Sequence, residues 1–491
     1  MRISRLTPTV HDPRSTDGYV ASVPRAGNVS WRPVAFLVAD LAGFALAAGA
    51  AFSISLVLER EPFGRTYGRT MRFGIAWHGW AVLLVLVCLL AYFGGRRHYT
   101  ARIPFWIEAG TVLRATSLAF VADGLISVAV YRTPFGYEGM FRWILFFPAA
   151  LAMRQAARLM LGAYGCWGLR TLVVGDPATV ATVNAALRSE PALGYELVGS
   201  LSPREAPRGD DVAGWMRLLA AQRVQLVVVL LGDGSCPETR IIASMLTRAR
   251  VPLAFVPVID GLPVQGLSPQ YFLSHDVLML AGHDNLDRPV SRLAKSVFDQ
   301  VGAAVLLFLL APLFVVLASL VRADGSPAFY RHKRVGAGGR SFECLKFRTM
   351  VPDADAALRK LLASSPEAQR EWNETQKLRD DPRITPIGRF LRATSLDELP
   401  QLVNVLLGEM SLVGPRPIVE AEIPRYGRDI EYYYDMKPGM TGLWQVSGRS
   451  NTSYSRRVQL DRWYARNWTL WHDVAILLKT IRVVCGRDGA V

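Results

Sequence analysis

The sequence predicts a membrane protein with three parts in chain order: an N-terminal four-helix transmembrane bundle, a Rossmann-like α/β cytoplasmic domain, and a monotopic domain entered through a re-entrant helix-break-helix. Three observations carry this. Of 491 residues, 51% are hydrophobic and only 20% charged, mean hydropathy is +0.20, and the apolar residues are bunched at two places. After Arg170, short β-branched runs alternate with helical stretches. A second apolar run, Gly302 to Val321, has no charge but holds a proline, Pro312. The balance excludes a disordered chain. The formal charge of +15 suits an anionic membrane face or phosphate substrates. Nucleic acid is not an expected partner, because the basic residues lie beside apolar runs.

The first 32 residues are polar and lack the apolar core and cleavage site of a secretory signal, so they read as a cytoplasmic tail. Val34 to Leu58 is long enough, at 1.5 Å per residue, to cross a ~30 Å hydrocarbon layer. Ile75 to Phe93 is the second span, Ala115 to Tyr131 the third, and Met140 to Met153 the fourth. Arginines flank the tail (Arg25, Arg32), the second span (Arg96, Arg97, Arg102) and the fourth (Arg154, Arg158, Arg170), which places both ends of the bundle inside. The loop with Arg60, Arg65, Arg69 and Arg72 runs against that count. Asp40 and Asp123, inside the spans, fit either a transport path or interhelical hydrogen bonding, the second being the commoner use.

Thr171 to Val174, Val224 to Leu231 and Val251 to Val258 read as buried strands of a parallel sheet. The first ends in Gly175-Asp-Pro without the further glycines of a dinucleotide turn, which favours a structural or regulatory domain over an NAD site. Cys88, Cys166, Cys236, Cys344 and Cys485 form no CxxC pair, so neither a disulfide framework nor a cysteine zinc site is expected. In the run Gly302 to Val321, Pro312 costs a helix interior ~3 kcal/mol and frees a carbonyl, so a break is expected there, with a kinked transmembrane helix as the alternative. A hairpin that enters and leaves on one face also keeps the following cationic segments with cytoplasmic nucleotides.

The last third is dense in short motifs: Arg334-Val-Gly336, Lys346-Phe-Arg-Thr-Met350, Asp381-Pro-Arg-Ile-Thr385, Ser395-Leu-Asp-Glu-Leu-Pro400, Met410 to Pro417, and Lys437 to Gln445. They supply fixed cations, backbone-rich turns and one adjacent carboxylate pair, which is equipment for phosphoryl transfer. Asp397-Glu398 reads in two compatible ways. Ser395-x-x-Glu398 is a capping box for an apolar helix over Leu399 to Leu407, and a helix N-terminus also favours an ionised carboxylate and an incoming phosphate. Arg416 between two prolines fits a phosphate clamp or a plain loop. Tyr433-x-x-x-Lys437 matches a dehydrogenase proton-donor pair only by accident, running into Pro438-Gly439.

These motifs, in this order from about Arg292 to the end, resemble the catalytic domain of bacterial polyprenyl-phosphate hexose-1-phosphate transferases. His98-Tyr-Thr, Pro104-Phe-Trp, Gly261-Leu-Pro and Ser274 to Leu280 extend the resemblance to the large, multi-span branch typified by undecaprenyl-phosphate galactose phosphotransferase. The resemblance implies that Asp397 attacks the sugar-bearing phosphorus of a UDP-hexose, expelling UMP, and that Glu398 helps hold Mg²⁺. Undecaprenyl phosphate then takes the phosphosugar, the first membrane step of O-antigen, capsule or exopolysaccharide assembly. It further implies phosphate or carboxylate contacts from Lys346, Arg348, Arg383 and Arg416, with Gln401 and Asp461 as further substrate contacts. The family often has Ser-Pro at the hairpin break; here it is Ala311-Pro312.

The expected organisation is a disordered tail (1–32), the bundle (33–165), the α/β domain (166–285), the membrane hairpin (286–325) and the catalytic domain (326–491). The resemblance points to galactose as the sugar, with glucose as the alternative, and to a homodimer in the bacterial inner membrane with the catalytic domain facing the cytoplasm. Two other classes compete. A nucleotide-sugar dehydratase or epimerase requires the absent glycine-rich turn, and a non-catalytic assembly protein requires Asp397 to be dispensable.

Overall fold

The computed structural model describes residues 31–58, 75–130, 136–207, 211–231, 237–257, 267–271, 278–282, 285–286, 288–365, 369–370, 381–448 and 453–485. The tail up to residue 30, the arginine-bearing loop 59–74, Gly261-Leu-Pro and Ser274 to Val277 lie outside the described residues. The chain divides into two compact units, 1–259 and 260–491. The bundle and the four-stranded α/β sheet belong to the first unit, and the strands Leu267–Tyr271 and Leu278–Gly282 fall in the second.

The four apolar helices of the bundle are α1 (Trp31–Leu58), α2 (Ile75–Gly95), α3 (Phe105–Ala129) and α4 (Tyr137–Ala163). Helix α3 starts ten residues before the expected third span, and α4 runs ten past the expected end of the fourth. The reason is electrostatic. Glu108 at the start of α3 and Arg154 and Arg158 in the last turns of α4 satisfy one another, so charges that disqualify a lipid-facing segment are buried in the bundle. Arg154 donates to both Asp40 oxygens at 2.7 Å, and Tyr99 donates to Asp40 Oδ2 at 2.9 Å. Asp123 accepts from Trp143 Nε1 at 2.8 Å. Both intramembrane acids thus serve interhelical bonding. Arg154 and Arg158, counted in the sequence among the positive-inside flanks, are buried in the bundle, and Arg102 donates to the Trp167 carbonyl at 2.6 Å. Above this network α1 and α4 cross closely: a Cβ on Gly43 would stand 3.1 Å from the Ala150 backbone.

The α/β part holds β1 (Leu169–Val174), α5 (Pro177–Ser189), β2 (Tyr195–Leu201), α6 (Val212–Ala221), β3 (Leu226–Leu231), α7 (Pro237–Arg248) and β4 (Leu253–Pro257). Its four strands are parallel in the order β2-β1-β3-β4. Alternation along β1 and β3 sends Leu172, Val174, Val227 and Val229 to a core with Trp215 and Leu246, and Val173, Val228 and Leu230 to the other face. Strand β2, missed in the sequence, is a bulged edge strand with Gly199, so it lacks the continuous apolar run of its neighbours. Asp176 caps α5 through the Ala178 amide, placing a carboxylate where a pyrophosphate would have to dock.

The second unit begins with the hairpin β5 (Leu267–Tyr271) and β6 (Leu278–Gly282), followed by the long helix α8 (Pro289–Val321). The expected break at Pro312 is not an interruption of helical structure: α8 is helical through that residue over 33 residues. A proline ring removes one hydrogen bond, and the flanking apolar turns are held from the side by the domain they pack on. Ala303, Leu307, Leu310 and Phe314 join the core formed with Leu402, Leu412 and Trp468. Leu317 and Val321 join a second core with Phe347 and Leu391. Val305, Phe308, Leu309, Val315 and Val316, on the remaining surface of α8, are exposed. The rest comprises the antiparallel pair β7 (Phe329–Val335) and β8 (Ser341–Phe347), then α9 (Ala354–Ser364), α10 (Pro386–Thr394), α11 (Gln401–Leu406) and β9 (Ser411–Val413). After these come α12 (Ile423–Tyr426), α13 (Ile430–Tyr434), β10 (Gly439–Thr441), α14 (Tyr454–Arg466) and α15 (Leu470–Cys485).

Candidate active site

An open cavity lies where β7, β8, the start of α11 and the loops around β9 and β10 converge. Arg334, Cys344, Lys346, Glu398, Gln401, Arg416 and Gln445 contribute to its wall. The motifs are brought there by backbone contacts that only their particular residues permit. Strands β9 and β10 pair in parallel, and beyond them Gly439 donates to the Pro415 carbonyl at 2.7 Å. A Cβ on Gly439 would fall 2.0 Å from the Gly414 amide nitrogen, and one on Gly414 would fall 2.5 Å from the Lys437 carbonyl oxygen. Both positions require glycine, and the approach they allow holds Arg416 and Gln445 at one cavity.

Asn404 fixes the opposite wall. It is buried, accepts from the Leu345 amide at 3.0 Å and donates to the Glu343 carbonyl at 2.8 Å, which locks α11 to β8. That sets Lys346 against the Asp397-Glu398 turn, where its Nζ stands 2.7 Å from Glu398 Oε1. The turn itself differs from the capping box expected. Ser395 has φ +57° and ends α10 in a left-handed conformation, Leu396–Glu398 is a single 3-10 turn, and α11 begins only at Gln401. The Glu398 side chain is engaged by Lys346, and a serine in that backbone region is not placed to cap the next helix.

The electrostatics are uneven. Among the described residues neither Arg334 nor Arg416 has a carboxylate partner. Arg334 donates to the Pro417 carbonyl at 3.1 Å, and Arg416 lies over the Trp444 ring at 6.0 Å. Burial and the neighbouring Arg416 charge both push the Arg334 guanidinium pKa down. The cavity is therefore left with more positive charge than Glu398 neutralises, the condition for binding an anion. Asp397 is partly buried, one residue outside the cavity wall; burial and then the adjacent Glu398 push its pKa up, with Lys346 and Arg392 opposing. Burial raises the pKa of the Cys344 thiol as well, which disfavours its thiolate.

Of the residues singled out in the sequence, the structure gathers Lys346, Glu398, Gln401 and Arg416, with Asp397 alongside. It puts three others elsewhere. Strand β8 ends at Phe347, so Arg348 leaves its face and donates to the Pro327 and Val321 carbonyls at 2.9 Å, holding the end of α8. Arg383 is engaged by Asp381, Nε to Oδ1 at 2.8 Å and a terminal nitrogen to Oδ2 at 2.7 Å, in a motif that braces Thr349 to Val351. Asp461 is buried with Tyr426, whose hydroxyl donates to it at 2.9 Å; burial raises its pKa to about 7. Arg334 and Gln445 are the additions. Both stand in motifs noted in the sequence, but only the fold shows that these motifs share a wall.

A cavity with a net excess of cations beside adjacent carboxylates, in a domain packed along a 33-residue apolar helix, fits a membrane-associated protein acting on anionic substrates. Comparison with known proteins makes this specific. Residues 290–487 match the bacterial sugar transferase family. The chain is 39% identical over 417 residues to the UDP-galactose-lipid carrier transferase of Erwinia amylovora, covering 83% of this chain and 87% of that protein. It is 38% identical over 419 residues to the undecaprenyl-phosphate galactose phosphotransferase of Salmonella typhimurium, with the same shares covered. To the UDP-glucose:undecaprenyl-phosphate glucose-1-phosphate transferase of Escherichia coli it is 31% identical over 322 residues, 63% of this chain and 66% of that protein. The chain belongs to the bacterial sugar transferase family and is a sugar transferase.

Proposed function

We propose that the protein transfers hexose-1-phosphate, galactose-1-phosphate in the first instance, from a UDP-hexose to undecaprenyl phosphate, releasing UMP. The observation that carries this reading is the pair Arg334 and Arg416, without carboxylate partners among the described residues, on the cavity that also holds Lys346 and Glu398. Two guanidinium groups and an ammonium at one place match the charge of a nucleoside diphosphate. Galactose is preferred over glucose because the relatives matched over 83% of the chain carry galactose in their names.

In the reaction an Asp397 carboxylate oxygen attacks the phosphorus bearing the sugar, and the bond from that phosphorus to the bridging oxygen breaks. UMP leaves with the electron pair. A phosphate oxygen of undecaprenyl phosphate then attacks the same phosphorus, and the Asp397 carboxylate is released. Splitting transfer in two lets a soluble donor and a lipid acceptor use one site in turn. Burial and the Glu398 charge raise the Asp397 pKa, which makes its carboxylate a stronger nucleophile, and the Lys346 charge opposes that rise. Among the described residues no three carboxylate, His or Cys groups cluster as a metal cage. The donor set fits Mg²⁺, which is commonly held by one or two carboxylates together with substrate phosphates. Glu398 would hold it together with the substrate phosphates, and bound there it would neutralise charge on the diphosphate.

Helix α8 is read as a membrane-inserted element whose two ends return to one soluble body on the cytoplasmic face. Near its start Lys295 bonds Asp473 at 2.7 Å and the Val413 carbonyl at 3.0 Å; at its end Arg348 holds the Val321 carbonyl. A helix tied at both ends to one domain brings the acceptor's phosphate to that domain at headgroup depth.

The test is UMP release by the full chain in nanodiscs, given UDP-galactose or UDP-glucose, Mg²⁺ and undecaprenyl phosphate. Lipid-dependent release by the wild type and none by Asp397→Asn is the expected result. An Asp397→Asn protein that turns over like wild type would overturn the two-step route.

A further inference from the structure

We infer that Gln401 and Gln445 read the neutral part of the donor, the hydroxyl groups of its hexose, while the cations hold its phosphates; this rests on the transferase reading above. The cavity's polar lining divides into charged and neutral groups. Lys346, Arg334 and Arg416 are cations suited to phosphate oxygens, but they discriminate poorly between sugars that share those phosphates. Gln401 and Gln445 are the two carboxamides on the same wall.

Neither carboxamide is used by the protein. Gln401 is 2% exposed, sits at the first position of α11, and among the described residues its side chain makes no hydrogen bond. Gln445 Oε1 is buried without a partner. A buried carboxamide oxygen left unsatisfied, as Gln445 Oε1 is, costs free energy that a ligand donor would recover, and the Gln401 amide has no protein partner among the described residues to compete with a ligand. Each carboxamide both donates and accepts, as a hydroxyl does, so the pair is matched to polyhydroxylated substrate rather than to a further anion. Their placement supports this division. Gln401 follows Asp397-Glu398 by one short turn, so it stands near the attacked phosphorus, where the sugar is attached. Gln445 closes the motif that starts at Lys437 and is held in place by its amide bond to the Gly442 carbonyl at 3.1 Å. A site that hydrogen-bonds substrate hydroxyls rejects an epimer by leaving its own polar groups unpaired, which is how the two residues would set selectivity between hexoses.

The experiment uses the full chain in nanodiscs with Gln401→Met and Gln445→Met, which keep side-chain length and remove the amide. Steady-state UMP release is measured with UDP-galactose and UDP-glucose, and UMP affinity is measured by calorimetry as a hexose-free probe. Expected is a fall in kcat/KM of about 10- to 100-fold for the preferred donor, a changed ratio between the two hexoses, and UMP affinity within about twofold of wild type. Unchanged selectivity in both variants overturns the assignment. A loss of UMP affinity at an unchanged thermal midpoint also overturns it, since the amides would then be reading the nucleotide. If a Met variant melts early, the uncharged Gln401→Asn or Gln445→Asn, which withdraws the amide by one methylene, is measured in its place against the same outcomes. Wild-type protein that releases UMP from neither donor overturns the transferase reading itself, a result distinguishable from active wild type with indifferent variants.

Discussion

Lys346 Nζ stands 2.7 Å from Glu398 Oε1, so a single ammonium group on β8 holds the carboxylate next in sequence to Asp397. The relationship couples two motifs 52 residues apart and gives Lys346 two effects. It pins the turn that carries both acids, and its charge works against the burial and the Glu398 charge that raise the Asp397 pKa.

The first prediction is a pH effect. Asp397 must be ionised to attack, so the rate falls on the acid side as its carboxyl protonates. Removing the ammonium in Lys346→Met takes away a charge that favours the ionised form, which moves the acid limb of kcat/KM to higher pH. A pH series of UMP release from pH 5 to 9 checks this. An acid limb that stays in place or moves down would show that Lys346 acts on the diphosphate alone.

Asp461 makes the second prediction, on stability. Its folded pKa of about 7 lies above the 3.8 of an unperturbed aspartate, because burial beside Tyr426 disfavours the charged form. The folded state therefore binds the proton more tightly. The contribution to stability is complete below about pH 4 and is lost as pH rises through about 7. Asp461→Asn keeps an acceptor for the Tyr426 hydroxyl and removes the charge. Its melting midpoint at pH 8 is expected to exceed that of wild type by several degrees, with the difference vanishing near pH 4. Equal midpoints at pH 8 would count against the argument.

In the bundle, Arg154 is fully buried and serves Asp40 and Glu108 together. Arg154→Met leaves two acids buried without that partner, a change that costs roughly 3–5 kcal/mol in soluble proteins. Thermal unfolding of the nanodisc protein should start at least 10 °C lower. The substitution Asp40→Asn on top of Arg154→Met removes one stranded charge and should restore part of the loss; no restoration would mean that Arg154 acts mainly through packing over Phe93.

What the sequence could reveal follows from the range of the interactions. Apolar length announced α1, α2 and α8, and β-branched runs announced β1, β3 and β4, since these are local signals. The true start of α3 and end of α4 were hidden because Glu108, Arg154 and Arg158 look hydrophilic until their partners on other helices are known. Strand β2 was hidden because an edge strand with an internal bulge carries no continuous pattern. At the site, Lys346, Glu398, Gln401 and Arg416 were legible as residue types suited to phosphate chemistry. Which of the cations reach one cavity depended on where β8 ends and on the Gly414–Gly439 approach, both of which are tertiary facts.

Arg383 gives the last prediction, because it is where motif and geometry diverge. The resemblance makes it a phosphate contact, yet its guanidinium forks onto both oxygens of Asp381, two residues earlier, while its carbonyl accepts from the Val351 amide at 2.8 Å. Burial pushes the Asp381 pKa up, but the hydrogen bonds and charge of Arg383 outweigh that and bring it below the ordinary value. The pair braces the segment between β8 and α10, whose Gly388 packs so closely on the Thr349 carbonyl that a Cβ would stand 2.1 Å from it. A residue with this duty stabilises rather than binds. Arg383→Met should lower the melting midpoint by several degrees and reduce kcat through a disordered Lys346 approach, while UMP affinity of the folded fraction stays near wild type. Arg416→Met, with no ion pair to lose, should do the reverse and cut UMP affinity by about tenfold or more at an unchanged midpoint. If Arg383→Met instead weakens UMP binding as strongly as Arg416→Met with no thermal cost, the guanidinium swings off Asp381 onto the substrate and the bracing role assigned to it is wrong.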